Sequence, residues 1–205
     1  MTLADKFTSI RLILAPVFFV IYLLHRFFPA IDRNSVWIVA VLWVLFLITE
    51  ISDFFDGFFA RKLGEVSDFG KLYDPFADTL TQVTFFFCFV IDKCFVEYFF
   101  IEEKLSVLPL ILFLLILYRE FGILFIRNLM LKKGTVLGAR ISGKIKTIAY
   151  ILAIGCALLA SSIQRLCPES GLFQLVSKIA SCIFMVSAAI SVYSFFDYVS
   201  IYKKK

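Results

Sequence analysis

Apolar runs of about twenty residues alternate with short polar clusters along the whole chain. A helix rises about 1.5 Å per residue, so about 20 apolar residues cross a hydrocarbon core of about 30 Å. The pattern predicts spanning helices over Thr8–Phe28, Ser35–Phe59, Pro75–Val96, Leu105–Met130, Gly143–Ile163 and Phe173–Ile201. Pro29, Pro109 and Pro168-Glu169-Ser170-Gly171 punctuate one side, and Arg61–Leu72 and Leu131–Ser142 form the loops of the other. There is no internal repeat, Gly/Ser linker or low-complexity tail. Residues 1–205 therefore predict a single domain: an all-α integral membrane protein, a six-transmembrane-helix bundle. Ahead of the first run, Asp5-Lys6-Phe7-Thr8-Ser9-Ile10-Arg11 is basic and amphipathic, predicting a short N-terminal interfacial segment. No clear cleavage site follows that run, which is expected to be a retained span.

Composition strengthens the membrane reading. Of 205 residues, 61% are hydrophobic, against about 45–50% in soluble domains, and mean hydropathy is +0.92. The five cysteines, Cys88, Cys94, Cys156, Cys167 and Cys182, form no Cys-x-x-Cys pair. Thiolate metal sites are thus excluded, and most of the cysteines are read as small packing residues. The one histidine, His25, stands beside Arg26 at the end of an apolar run. Neither a His-rich metal site nor a Ser-His relay is expected, and an interfacial role is.

The net charge of +5 is unevenly spread. Lys6, Arg11, Arg61, Lys62, Lys71, Arg127, Lys132, Lys133, Arg140, Lys144, Lys146 and Lys203 to Lys205 fall at the termini and in or beside two loops. The stretches between them carry fewer cations. Under the positive-inside rule both termini and the Asp-rich segment lie on the cytoplasmic side, as an even number of spans requires. Lys203-Lys204-Lys205 is expected to anchor on anionic headgroups. Membrane lipids are the expected surroundings, and no nucleic-acid partner is expected.

The informative chemistry lies between Ile51 and Thr79, in Asp53-x-x-Asp56-Gly57-x-x-Ala60-Arg61, eight residues, then Gly70-x-x-x-Asp74-x-x-x-Asp78. Residues three and four apart share a helix face. Asp53, Asp56, Gly57 and Ala60 thus form one stripe at the end of the second span, and Gly70, Asp74 and Asp78 another at the start of the third. A short loop makes these spans antiparallel neighbours, so four carboxylates can converge. Like charges at close range, in a place poor in water, need compensation. Hard divalent cations supply it, and oxygen donors without sulfur or imidazole favour magnesium, manganese or calcium. Two such ions would suit phosphoryl transfer. Gly57 and Ala60 would let a flat ring or a phosphate chain approach closely, or simply pack helices tightly.

With every fixed position met, at Asp53, Asp56, Gly57, Ala60, Arg61, Gly70, Asp74 and Asp78, the chain resembles the CDP-alcohol phosphotransferase family. The resemblance implies a six-helix bundle, usually a homodimer, with its polar site open to the cytoplasmic face. It implies that Asp53, Asp56 and Asp74 bind both of two divalent metals, magnesium or manganese, and that Asp78 binds the second and is the general base. Gly57, Ala60, Arg61 and Gly70 would wall the cytidine and diphosphate of a CDP-linked lipid, with Thr8 and Arg11 adding contacts.

A second cluster bears on the acceptor. Arg119 and Arg127 are eight residues apart and can share a helix face, and Gly143-Lys144-x-Lys146-Thr147 opens the fifth span. Four cations near a helix N-terminus make an anion pocket suited to an acceptor carrying phosphate. Lys132 and Lys133 read as positive-inside anchors. Arg119, inside an apolar run, reads as functional, with Glu120 pairing a neighbouring cation. This segment, with Thr8-x-x-Arg11 and Pro16, resembles the branch of the family that transfers phosphatidyl from CDP-diacylglycerol to glycerol 3-phosphate in the bacterial cytoplasmic membrane. Departures from that branch are Leu3-Ala4-Asp5-Lys6-Phe7 at the lead-in, Thr79 where lysine is common, and Tyr73 where an aliphatic residue is usual. They leave the acceptor open among glycerol 3-phosphate, inositol phosphate, serine, choline and phosphatidylglycerol.

Three other readings were weighed. Gly138 to Lys144 has P-loop spacing, but Ile145 replaces the Ser or Thr that would meet magnesium, and no strand precedes it. A divalent-cation transporter would need polar residues across the bilayer, against which stand Phe85-Phe86-Phe87 and the apolar outer half of the second span. An inactive lipid-binding scaffold finds no support in a complete aspartate set.

Overall fold

The computed structural model describes residues 3–28, 36–63, 70–92, 94–95, 107–134 and 140–204; the side chains at 3–7, 25–27, 54, 56–63, 71 and 203–204 fall outside the description. Among the described residues all regular structure is helical, in six helices: α1 (Leu3–Phe27), α2 (Val36–Leu63), α3 (Gly70–Ile91), α4 (Leu108–Lys132), α5 (Ile141–Leu166) and α6 (Leu172–Lys204). Four hold stretches long and apolar enough to cross a membrane: Val36–Asp53, Leu108–Lys132, Ile141–Leu166 and Leu172–Tyr202. α1 has a shorter apolar stretch, Thr8–Leu24. Asp74, Asp78 and Gln82 interrupt α3, so the residues that carry chemistry also dilute the apolar signal of that expected span.

The chain divides into two compact units, Met1–Cys88 and Phe89–Lys205. In the first, α1 packs along α2. The buried face of α1 is Thr8, Arg11, Ala15, Phe18 and Tyr22, the alternation of three and four that keeps one stripe on a helix. On α2 the stripe is Val39, Leu42, Phe46 and Thr49, and on α3 it includes Ala77, Thr81, Phe85 and Cys88. Phe85 is the hub: Phe18 meets it edge to face at 4.5 Å and Phe46 at 5.9 Å, geometries that the ring quadrupoles favour. Each stripe is apolar at one end and polar at the other. Outward positions such as Ile13, Val20, Val44 and Leu47 are apolar and exposed, as lipid contact demands.

The stretch from Asp5 to Arg11 belongs to α1, which runs unbroken from Leu3 to Phe27. Thr8 and Arg11 are buried at 0% and 2% exposure, so these two side chains face protein. The third helix extends back from the apolar span expected at Pro75 to Gly70, so Gly70, Asp74 and Asp78 lie on one helix as their spacing requires. The residue before a proline is biased away from helical geometry, yet Asp74 is helical, with its side chain bonded to Thr8 of α1.

In the second unit α5 packs along α6, and α4 against α6. α6 buries Ser177, Ala180, Phe184, Ser187, Ser191, Ser194 and Tyr198, and α5 buries Ala149, Ala153, Ala157 and Ala160. Small residues on both sides let the two backbones approach, the usual route to helix association in lipid. Gly122 of α4 faces Phe195, whose Cε2 would stand 2.8 Å from an added Cβ. Beyond α3, Phe95 stacks on Phe184 at 4.3 Å, and Ser177 donates to the Cys94 carbonyl at 2.8 Å. Asp92 and Arg165 form a buried ion pair at 3.6 Å. All five cysteines are free; Cys88 and Cys94 are buried as packing residues, whereas Cys167 and Cys182 are exposed.

Candidate active site

The polar ends of the three stripes in the first unit meet at Arg11. Its Nη1 donates to Asp53 Oδ1 of α2 at 2.5 Å and also to Asp78 Oδ1 of α3. A single nitrogen thus gathers carboxylates from two helices. Arg11 itself is buried, while the Asp53 and Asp78 side chains keep 44% and 39% of their surface exposed. The carboxylates are therefore open on one flank, where a ligand can reach them. Three residues before Arg11, Thr8 donates to Asp74 Oδ1 at 2.5 Å, and Ser9 Oγ lies 3.0 Å from Tyr73 Oη. Gly70 is buried at the start of α3. Glu50, one turn before Asp53, is within electrostatic reach of Asp53 and Arg11.

Of the expected carboxylates, Asp53 and Asp78 are brought together, with Asp74 held by Thr8 on the same face of α3 as Asp78. Asp56, Gly57, Ala60 and Arg61 lie on the α2 backbone, but their side chains are outside the described residues. Among the described residues no three His, Cys, Asp or Glu side chains close on one point. The donors that do converge are hard carboxylate oxygens, the set that suits magnesium or manganese rather than a soft metal.

The second cluster lies in the second unit and is organised by an anion. Glu120 is 4% exposed, and its Oε1 accepts from Arg119 Nη1 at 2.8 Å and from Lys146 Nζ at 2.9 Å. The expected pairing of Glu120 is thus present twice over. Arg119 also donates through Nε to the Ser191 carbonyl at 3.2 Å and through Nη2 to Ser194 Oγ at 2.8 Å. Lys146 lies over the Tyr150 ring at 4.5 Å, and Tyr150 donates to Ser191 Oγ at 2.7 Å. Arg127 stands apart from this knot. Its guanidinium lies 5.8 Å from the Tyr198 ring centre, and its Nη2 reaches Tyr198 Oη at 3.5 Å. Lys144 is exposed and has no ion pair among the described residues.

Several contributors escaped the sequence. Ser191, Ser194 and Tyr198 on α6 form the seat of both arginines, and their spacing of three and four was the available signal. Asp197, a carboxylate near the end of an apolar run, was another. It accepts from Arg140 Nε at 2.8 Å and from Ser142 Oγ at 2.7 Å. These groups line a cavity of about 480 Å³ with Ile141, Ile145 and Tyr193. Tyr73, noted only as a departure, supplies a second polar contact between α1 and α3.

Comparison with known proteins agrees with the aspartate spacing. The family described as CDP-alcohol phosphatidyltransferase matches residues 1–193. A protein of Treponema pallidum named CDP-diacylglycerol--glycerol-3-phosphate 3-phosphatidyltransferase is 36% identical over 203 residues, covering 97% of this chain and 88% of that one. A Bacillus subtilis protein of the same name is 32% identical over 160 residues, covering 77% and 76%. A Mycobacterium tuberculosis protein named probable phosphatidylglycerophosphate synthase is 32% identical over 160 residues, covering 78% and 67%.

Proposed function

The chain belongs to the CDP-alcohol phosphatidyltransferase family, and from that premise we propose that it transfers the phosphatidyl group of CDP-diacylglycerol to glycerol 3-phosphate, giving phosphatidylglycerophosphate and CMP. The observation that carries this reading is the convergence of Asp53 and Asp78 on one atom of Arg11, within a motif complete at all eight positions. The names of the relatives support the two substrates.

In this reading Asp53, Asp56, Asp74 and Asp78 hold two divalent ions, magnesium or manganese. When bound, such ions neutralise diphosphate charge and orient the phosphoryl group for displacement. The chain's own residues do the rest. Asp78 accepts the proton of the acceptor's primary hydroxyl. That oxygen bonds to the phosphorus bearing the diacylglycerol, the bond from this phosphorus to the bridging oxygen breaks, and CMP leaves. Thr8 fixes Asp74, and Arg11 fixes Asp53 and Asp78. Gly57, Ala60, Arg61 and Gly70 wall the CDP group. Arg119, Arg127, Lys144 and Lys146 supply the cations for the acceptor phosphate. Catalysis is mainly positioning and charge stabilisation.

The distribution of lysine and arginine supports a setting in the bacterial cytoplasmic membrane with the termini and aspartates inside. α1 and α3 complete six spans there, and the protein forms a homodimer as the family resemblance implies.

Purified protein in micelles tests the reaction. With CDP-diacylglycerol, glycerol 3-phosphate and magnesium it releases CMP and forms phosphatidylglycerophosphate. Chelation stops turnover, and magnesium or manganese restores it. Competing inositol phosphate, serine, choline or phosphatidylglycerol is left unreacted. Preferred use of any of these overturns the acceptor; CMP release insensitive to chelation overturns the metal assignment.

A further inference from the structure

The two arginines of the second unit are held in different ways. Arg119 has Nε, Nη1 and Nη2 all given to protein acceptors, on Ser191, Glu120 and Ser194. It also braces α4 against α6. Arg127 commits one nitrogen, Nη2, to Tyr198 Oη. Its Nε is buried and donates to no described residue. Donors remain on Arg127 for an anion, and its orientation is set by the ring and hydroxyl of Tyr198, which is 2% exposed.

The hydroxyl reaches that position because of a glycine. A Cβ added at Gly143 would stand 3.3 Å from Tyr198 Oη, tighter than ordinary contact. Gly143 of α5 and Arg127 of α4 thus bracket one phenol from α6. The same stripe of α6, one and two turns earlier, seats Arg119 on Ser194 and Ser191.

We infer that Tyr198 is a positioning residue: it aims the Arg127 guanidinium at the acceptor's phosphate, and Gly143 is the gap that admits its hydroxyl. This rests on the proposed reaction, in which Arg127 meets that phosphate. A guanidinium pre-set by a rigid ring loses less freedom on binding an anion than a free one. Tyr198 touches neither substrate, so its effect belongs to acceptor affinity rather than to the chemical step.

Steady-state kinetics of the full chain test it with two variants acting on one atom. Tyr198→Phe removes the hydroxyl and keeps the ring. KM for glycerol 3-phosphate rises about three- to tenfold, the worth of one hydrogen bond. KM for CDP-diacylglycerol, kcat and the melting temperature in detergent stay close to wild type. Gly143→Ala, which displaces the hydroxyl, gives the same selective rise. An unchanged acceptor KM in Tyr198→Phe overturns the inference. A rise in both KM values together with a lower melting temperature also overturns it, making Tyr198 a packing residue. Wild-type protein that releases no CMP with glycerol 3-phosphate sinks the functional reading, a result distinct from an active wild type beside an unaltered Tyr198→Phe.

Discussion

Arg11 and Asp78, 67 positions apart in the chain, meet in an ion pair whose arginine is almost wholly buried. The same guanidinium nitrogen holds Asp53, so one residue of α1 sets where the carboxylates of α2 and α3 stand relative to each other. This contact brings two of the regularly spaced aspartates together in space. In the proposed reaction Asp78 is both the general base and a ligand of the second metal, and its amide keeps the size and one oxygen donor while losing the proton acceptor. Asp78→Asn lowers kcat by about 10²- to 10⁴-fold, while the protein still folds and binds CDP-diacylglycerol. Single-turnover CMP release measures it; near-normal turnover in the variant removes Asp78 from the role.

Thr8 is the donor that fixes Asp74. In Thr8→Val the shape is kept and the hydroxyl lost, leaving a part-buried carboxylate without that bond. We expect kcat/KM for CDP-diacylglycerol to fall about tenfold, in line with a hydrogen bond to a charged group, and Thr8→Ser to restore most of it. Equal activity in the valine and serine variants would show the bond to be incidental.

Glu120 is shared by two cations in the interior of the second unit. Glu120→Gln keeps the size but leaves Arg119 and Lys146 without their common countercharge. Breaking a buried pair from one side costs about 3–5 kcal/mol, so this variant unfolds at markedly lower denaturant or temperature in detergent. Glu120→Asp, which keeps the charge at shorter reach, falls between the two. A variant as stable as wild type would show that the cluster is not structural.

At Gly122 α4 leaves no room for a side chain against α6. Gly122→Ala places a methyl 2.8 Å from Phe195 Cε2, and the strain of overpacking costs about 1–3 kcal/mol. Thermal unfolding reads the loss. Phe195→Leu in the same chain recovers part of it, because neighbouring changes couple; additive losses would mean that the two residues do not press on each other.

The number and order of the six helices were legible because long apolar runs mark four of them and shorter or polar-interrupted ones mark α1 and α3. Their ends were less so. Pro75 looked like a first helical residue, as proline usually is, but the helix extends back to Gly70. The aspartate pair was legible from helical spacing, and the structure adds which atoms meet. The role of Arg11 was not, since in sequence it looked like one cation of a basic interfacial stretch. Its burial depends on the stripe continuing through Thr8 and Arg11, where polar residues interrupt the hydrophobic signal that marks a face. Ser191, Ser194 and Tyr198 were hidden for the same reason: in a helix apolar all round, small hydroxyl residues do not stand out until their partners are known. Glu120 was expected to take one cation and takes two, because its partners come from adjacent and distant positions alike.

The length of α6 has a consequence for the membrane it sits in. Its 33 residues amount to about 50 Å of rod, set against an oily layer of about 30 Å. The surplus is absorbed by tilting or by protrusion, and tilt follows lipid thickness. Since the same rod carries Ser191, Ser194 and Tyr198 near one end, how it takes up that surplus sets the depth at which the seats of both arginines stand.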